Sequence, residues 1–124
     1  MERAFTEERP IFQQLAQALE NAILSGAYAE ESQIPSITEY SVAYRINPAT
    51  AMKGINVLVD AGLIYKKRGI GMFVASGARD KLLALRRDAF YEERALPVAR
   101  DARTLEIGIS ELQDMMKRGY DHGD

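Results

Sequence analysis

Thr50, Lys53 and Asn56 recur at three-residue steps, with Ala49 beside them, inside the stretch Asn47–Asp60. At helical spacing they share one face that is small, polar and carries a single charge. A hydroxyl, an ammonium and a carboxamide on such a face can hydrogen-bond phosphates or base edges in a DNA major groove. Ala49 can touch a thymine methyl. Ala51, Ile55, Leu58 and Val59 fall on the other, apolar face. Asn47 is a good N-cap, and Pro48 suits the first helical position, where a missing N–H costs nothing. The stretch therefore reads as a helix whose polar face is a candidate DNA-recognition surface.

A second chemical signal is the basic run Lys66-Lys67-Arg68, which leads into Gly69-Ile70-Gly71. Leu63–Arg68 and Met72–Ala75 are strand-like. The glycines sit where a hairpin turn needs positive φ. Cations at a hairpin tip can hold phosphates or enter the minor groove; a solvated charged hairpin is the plain alternative. Ahead of the candidate recognition helix, Ser36-Ile37-Thr38-Glu39 is a capping box that starts a short helix lined by Ile37, Tyr40 and Tyr44. Ser36 and Thr38 lie at its N-terminus, where free N–H groups can hold a phosphate, although capping alone would account for Ser36. Arg45-Ile46 makes the turn between the two helices. Two short helices so joined are a helix-turn-helix signature, and a basic hairpin directly after them makes it a winged helix.

Composition narrows the function classes. The 124 residues suit one domain or a small domain with an appendage, at 47% hydrophobic and 27% charged. There is no cysteine, and the only histidine is His122 near the terminus. Metal, thiolate and histidine acid–base chemistry are therefore not expected. Nor is there a Gly-rich phosphate loop ahead of a helix or a pair of acids in an evident cleft, so no enzyme and no cofactor are expected. No apolar run approaches the roughly 20 residues of a membrane helix, and no signal peptide opens the chain, so a cytoplasmic location is the default expectation. Net charge is −2, but residues 34–74 hold five basic and two acidic side chains, a local +3. Local charge governs binding to a polyanion. Five cations are a thin footprint, which a dimer would double.

The remaining elements support this centre. Residues 1–9 read as a loose arm or short edge strand. Pro10 opens an amphipathic helix carrying Ile11, Phe12, Leu15, Leu19, Ala22 and Ile23, with Gly26 as its cap and core support as its role. Residues 27–35 read as a polar loop. Gly62 closes the recognition helix. Gly77 and Ala78 mark a joint, which divides the chain into a winged helix-turn-helix over 1–77 and a two-helix tail over 78–124. In the tail, Leu82, Leu83, Leu85, Ala89 and Phe90 form one apolar stripe that Pro97 is expected to stop. Leu105, Ile109, Leu112 and Met116 form another on a helix from about Asp101 to Arg118, which Gly119 is expected to end. Two such helices bury little by themselves. Packing Leu82, Leu85, Phe90, Leu105, Ile109, Leu112 and Met116 against a second copy would set two recognition helices about one DNA turn apart. Packing on the same subunit is the alternative.

The segments Ile34-Pro35-Ser36, Asn47-Pro48-Ala49-Thr50, Leu58–Ile64 and Gly69–Val74, in this order and spacing, resemble the GntR family of bacterial transcription regulators over roughly residues 10–75. The Asn-Pro-x-Thr opening and the short tail look most like its YtrA-like subfamily. The resemblance implies a mainly α fold with a small β-hairpin, double-stranded operator DNA as partner, and dimerisation through the tail. The family's usual arginines are replaced here by Thr38, Pro48 and Met52, which shifts the burden to Thr50, Lys53 and the wing. Larger relatives have a metabolite pocket, sometimes with metal-binding histidines. This chain lacks that length and those histidines, so a small-molecule effector would have to use a crevice near the tail.

The expectation is a homodimeric repressor of a palindromic operator. Ala49, Thr50 and Lys53 would face bases. Ser36, Thr38, Arg45, Lys66, Lys67 and Arg68 would hold the backbone, with Gly69 and Gly71 shaping the tip, and the N-cap Asn47 is counted with them among the DNA-binding residues. The alternative is a winged-helix module that docks a protein instead of DNA.

Overall fold

The computed structural model describes residue 5 and residues 8–122. Most of the arm expected over residues 1–9 lies outside the described residues. Phe5 is described, and its ring stacks on Tyr44 with centroids 4.9 Å apart.

Helix α1 (Ile11–Ser25) buries Leu15, Ala16, Leu19 and Ile23 and leaves Ile11 exposed. Strand β1 is the pair Gln33–Ile34. Helix α2 (Ile37–Tyr44) is followed by the turn Arg45–Asn47 and helix α3 (Pro48–Asp60). Strands β2 (Ile64–Lys67) and β3 (Gly71–Val74) form the hairpin. The sheet has three antiparallel strands in the order β1-β3-β2, because the loop expected over 27–35 contributes β1 as an edge strand. Two residues are too few to show a period, so this strand has no sequence signature.

The core lies between α1, α3 and the sheet. Leu15, Leu19, Ile23, Ile55, Leu58, Leu63 and Val74 are fully buried, each stabilising the fold by about 1.5–3 kcal/mol relative to exposure. Gly54 lets α1 and α3 approach closely: a Cβ there would stand 2.9 Å from the Phe12 carbonyl oxygen and 3.1 Å from Leu15 Cδ2. Tyr40, on α2, is buried with its hydroxyl 3.0 Å from that of Tyr28. Burial first, and then that hydrogen bond, pushes its phenol well above the ordinary tyrosine range.

The chain divides into two compact units, Met1–Ala84 and Leu85–Asp124. Packing therefore does not divide at the expected joint, Gly77–Ala78. The opening of helix α4 (Ala78–Phe90) belongs with the first unit, where Ala78 and Leu82 join its core. The Glu30 carboxylate accepts the backbone N–H of Gly77 at 2.9 Å and of Arg79 at 3.2 Å, and so caps the helix. Arg79 Nε donates to the Leu24 carbonyl at the end of α1, at 2.9 Å. Leu82, expected on the dimer face, is 2% exposed and already spent in this core.

In the second unit, Pro97 does not stop the helix. After α4 a π-helical turn, Tyr91–Ala95, leads directly into α5 (Leu96–Thr104). Proline lacks an N–H and crowds the carbonyl four residues back. The wider turn relieves that crowding, with the Leu96 N–H reaching the Tyr91 carbonyl. The helix expected from Asp101 to Arg118 is divided. α5 closes in a Schellman motif, with Ile107 N–H to Ala102 O at 2.8 Å and Glu106 N–H to Arg103 O at 3.1 Å. Glu106 takes the left-handed position at φ 59°. Glycine usually holds that position, so a glutamate there carries no signal of a break. Helix α6 (Ile109–His122) follows and runs through Gly119 instead of ending at it. Leu105 thus caps α5 and does not open the stripe of α6.

Candidate nucleic-acid interface

Helix α3 turns Ala49 and Lys53 outward as the spacing requires, but it exposes Met52 and Val57 beside them where Thr50 and Asn56 were expected. Ala51, Gly54, Ile55 and Leu58 point inward. Ala49, Met52, Lys53 and Val57 are exposed, and Thr50 and Asn56 are half-buried at its margins. Asn47 Oδ1 accepts the Ala49 N–H at 2.7 Å, so this carboxamide is engaged in capping. The Lys53 ammonium folds back over the Phe12 ring, 4.2 Å from its centroid.

The second part of the site lies between the N-terminus of α2 and the hairpin. Ser36 and Glu39 make a reciprocal capping box: Glu39 N–H to Ser36 Oγ at 3.1 Å, and Ser36 N–H to Glu39 Oε1 at 2.8 Å. A groove beside it is lined by Ser36, Ile37 and Thr38 on one side and by residues 66–72 of the hairpin on the other. It gathers Ser36, Thr38, Lys66, Lys67, Arg68, Gly69 and Gly71. Arg45, Asn47, Ala49, Thr50 and Lys53 lie apart from it, on the α2–α3 turn and on α3 itself. Arg45 is exposed in the left-handed conformation, φ 56°.

The register separates the three basic wing residues. Ile64 pairs with Val74 and Lys66 with Met72, on the inner face of the sheet. Tyr65 pairs with Phe73 and Lys67 with Gly71, on the outer face. There the Tyr65 and Phe73 rings stack at 5.8 Å, and the Lys67 ammonium lies 4.8 Å from the Phe73 centroid. Tyr65 also donates to Glu31 Oε1 at 2.8 Å, a bond that raises its phenol above the usual value. Two lysines adjacent in sequence thus serve opposite faces of one hairpin.

Sequence reasoning missed Gln33. From β1 its Nε2 donates to the Ile70 carbonyl at 3.0 Å, tying the tip of the hairpin to the strand that leads into Ser36. Gly71 allows this: its φ is 148°, and a Cβ there would collide with the Gln33 amide. The Gly-x-Gly pair was the only signal, and it pointed to a turn. Among the described residues no group of three or more His, Asp or Glu could hold a metal ion. No helix among them is long and apolar enough to cross a membrane. The arrangement places hydroxyls and cations on the exposed surface of the α2–turn–α3 unit and the hairpin, groups that can bond to an anion.

Residues 11–74, just over half of the chain, match the family described as bacterial regulatory proteins, gntR family. The chain belongs to the GntR family. This is a class of transcription regulators and not of enzymes. Among characterised relatives, the repressor YtrA of Bacillus subtilis (strain 168) is 24% identical over 108 residues, 87% of this chain and 82% of YtrA. The repressor NagR of the same organism is 30% identical over 74 residues, 60% of this chain. Only 30% of NagR is covered, and 27% of the histidine utilization repressor of Klebsiella aerogenes. In structure, a GntR-family protein from Bacteroides thetaiotaomicron superposes with a TM-score of 0.76 at 38% identity, covering 92% of this chain and 99% of that one. The winged helix with a helical C-terminal region is therefore the fold of this GntR chain. The DNA-binding domain of AraR in complex with operator ORX1 matches with a TM-score of 0.56 at 26% identity, over 58% of this chain and 94% of that one.

Proposed function

We propose that this GntR-family chain is a sequence-specific DNA-binding repressor that reads a palindromic operator as a homodimer. The observation that carries the reading is that one winged helix presents Ala49 and Lys53 exposed on α3 together with three exposed cations, Lys66, Lys67 and Arg68, at the wing. Lys53, Thr50 and Ala49 meet base edges. Ser36, Thr38, Arg45 and Asn47 hold the phosphate backbone, together with Lys66, Lys67 and Arg68 around the Gly69–Gly71 turn. The operator-bound AraR domain, similar over just over half of this chain, supports a DNA partner. YtrA, similar over most of it, supports repression.

The tail supplies the second copy. Among the described residues of Leu85–Asp124 only Ala102 is buried, too little to hold two helices by themselves. Leu85, Phe90, Leu105, Ile109 and Met116 are exposed and Leu112 half-buried; against a partner copy they form the dimer face. The regulator works in the cytoplasm.

The test is selection of duplexes from a random pool by the purified chain, followed by electrophoretic retardation. Recovered sites should hold an inverted repeat with half-sites about one helical turn, or a multiple of it, apart. No enrichment and no retardation at physiological salt would sink the reading and favour a protein-docking winged helix, to which exposed Met52 and Val57 on α3 would lend an apolar surface.

A further inference from the structure

The tip of the wing carries Ile70, 65% exposed between two glycines and directly after Lys67-Arg68-Gly69. Its backbone is fully occupied within the chain. The N–H donates to the Lys67 carbonyl at 3.0 Å, and the carbonyl accepts from Gln33 Nε2 at 3.0 Å. With both polar groups turned inward, what the tip offers outward is a β-branched hydrocarbon side chain. A turn meant only for solvent is served better by Asn, Asp or Ser, which bond to their own backbone. The tip is also held in place. Gln33 reaches it across Gly71 from β1, so its direction does not depend on the hairpin alone.

We infer that Ile70 is an apolar wedge that enters the minor groove of bound DNA and partly unstacks one base step, bending the duplex. The inference rests on the DNA-binding reading above and adds to it an interaction that carries sequence preference without a hydrogen bond. The occupant is duplex DNA because the apolar tip directly follows two exposed cations, Lys67 and Arg68, which suit the phosphates bordering a minor groove. Aliphatic side chains inserted this way trade stacking for a bent duplex that covers more protein surface. Pyrimidine–purine steps open at least cost, so the site should favour one of them beneath each wing. Gln33 is a positioning residue that acts through Ile70.

The experiment uses the full chain and a duplex recovered by selection with the wild type. It reads thymine reactivity to permanganate, which reports unstacking, and bend by gel phasing. Wild type should bend the duplex and expose thymines under each wing. Ile70→Ser, which keeps every charge and alters only an exposed side chain, should abolish both signals and weaken binding about tenfold, on the scale of losing one buried aliphatic side chain. Ile70→Leu should retain bend and reactivity, and Gln33→Ala should reduce both without removing a charge. An equal bend with Ile70→Ser, or a straight and unreactive duplex with wild type, overturns the wedge and leaves DNA binding standing. A wild type that retards no duplex overturns both.

Discussion

Lys53 rests over the Phe12 ring and in the proposed complex must leave it for a base edge. An exposed cation–π contact is worth about 0.5–1 kcal/mol, while a good base pairing contributes about 1–3 kcal/mol, so DNA wins that competition. Lys53→Ala should therefore weaken operator binding by about 1–3 kcal/mol and change affinity for random DNA little, as parallel titrations would report. Equal losses on both would reduce Lys53 to a phosphate contact. That Lys53 faces outward was legible from helical period alone. Its resting place was not, because Phe12 lies 41 positions away and no local rule links them. The Ser36–Glu39 capping box was legible for the opposite reason: both its bonds run between residues three apart. The Gln33–Ile70 bond spans 37 positions, beyond the reach of any local pattern.

Elements behaved as their patterns suggested where the signal was local. The α2–turn–α3 unit and the hairpin lie within a residue or two of where they were expected. Neighbours decide the rest, and Gly54 shows how. Replacing an interior helical glycine with alanine ordinarily stabilises a helix by up to about 1 kcal/mol. Here the added Cβ meets the Phe12 backbone. Gly54→Ala should instead destabilise the chain by about 1–3 kcal/mol, the usual cost of overpacking, seen as a lower midpoint in thermal unfolding. A raised midpoint would mean that α1 can withdraw freely. The wing makes its own prediction. If Lys66, Lys67 and Arg68 hold phosphates, replacing all three with alanine should flatten the salt dependence of binding by about 0.9 for each phosphate no longer neutralised. An unchanged slope would reject the wing as a phosphate clamp. The register also forbids treating the three as one patch, since Lys66 and Lys67 leave opposite faces of the sheet.

For the whole molecule, the tail is the least self-sufficient part. Helix α6 buries none of its described side chains within the chain, and Ile109 is 72% exposed. Ile109→Asp should yield a monomer by sedimentation and lose operator binding, with the melting of the winged helix unchanged. A wild-type chain that sediments as a monomer at every micromolar concentration tried would undo the dimer. The tail is also where sequence patterns mislead most. Pro97 reads as a stop and Leu105 as the head of a stripe; the π-helical turn and the left-handed Glu106 alter both. That turn has a consequence for length. Side chains on an α-helix advance about 100° per residue, so whatever follows Tyr91–Ala95 keeps its angular phase only while the turn keeps its residue count. Deleting one residue there would swing α5 by about a quarter of a circle and force Pro97 against a regular α-helical carbonyl. Deleting four, close to one full turn of about 3.6 residues, would nearly restore the phase while carrying the same proline clash. The tail should thus be less tolerant of the smaller lesion than of the larger, whereas in a flexible linker the damage would grow with every residue removed.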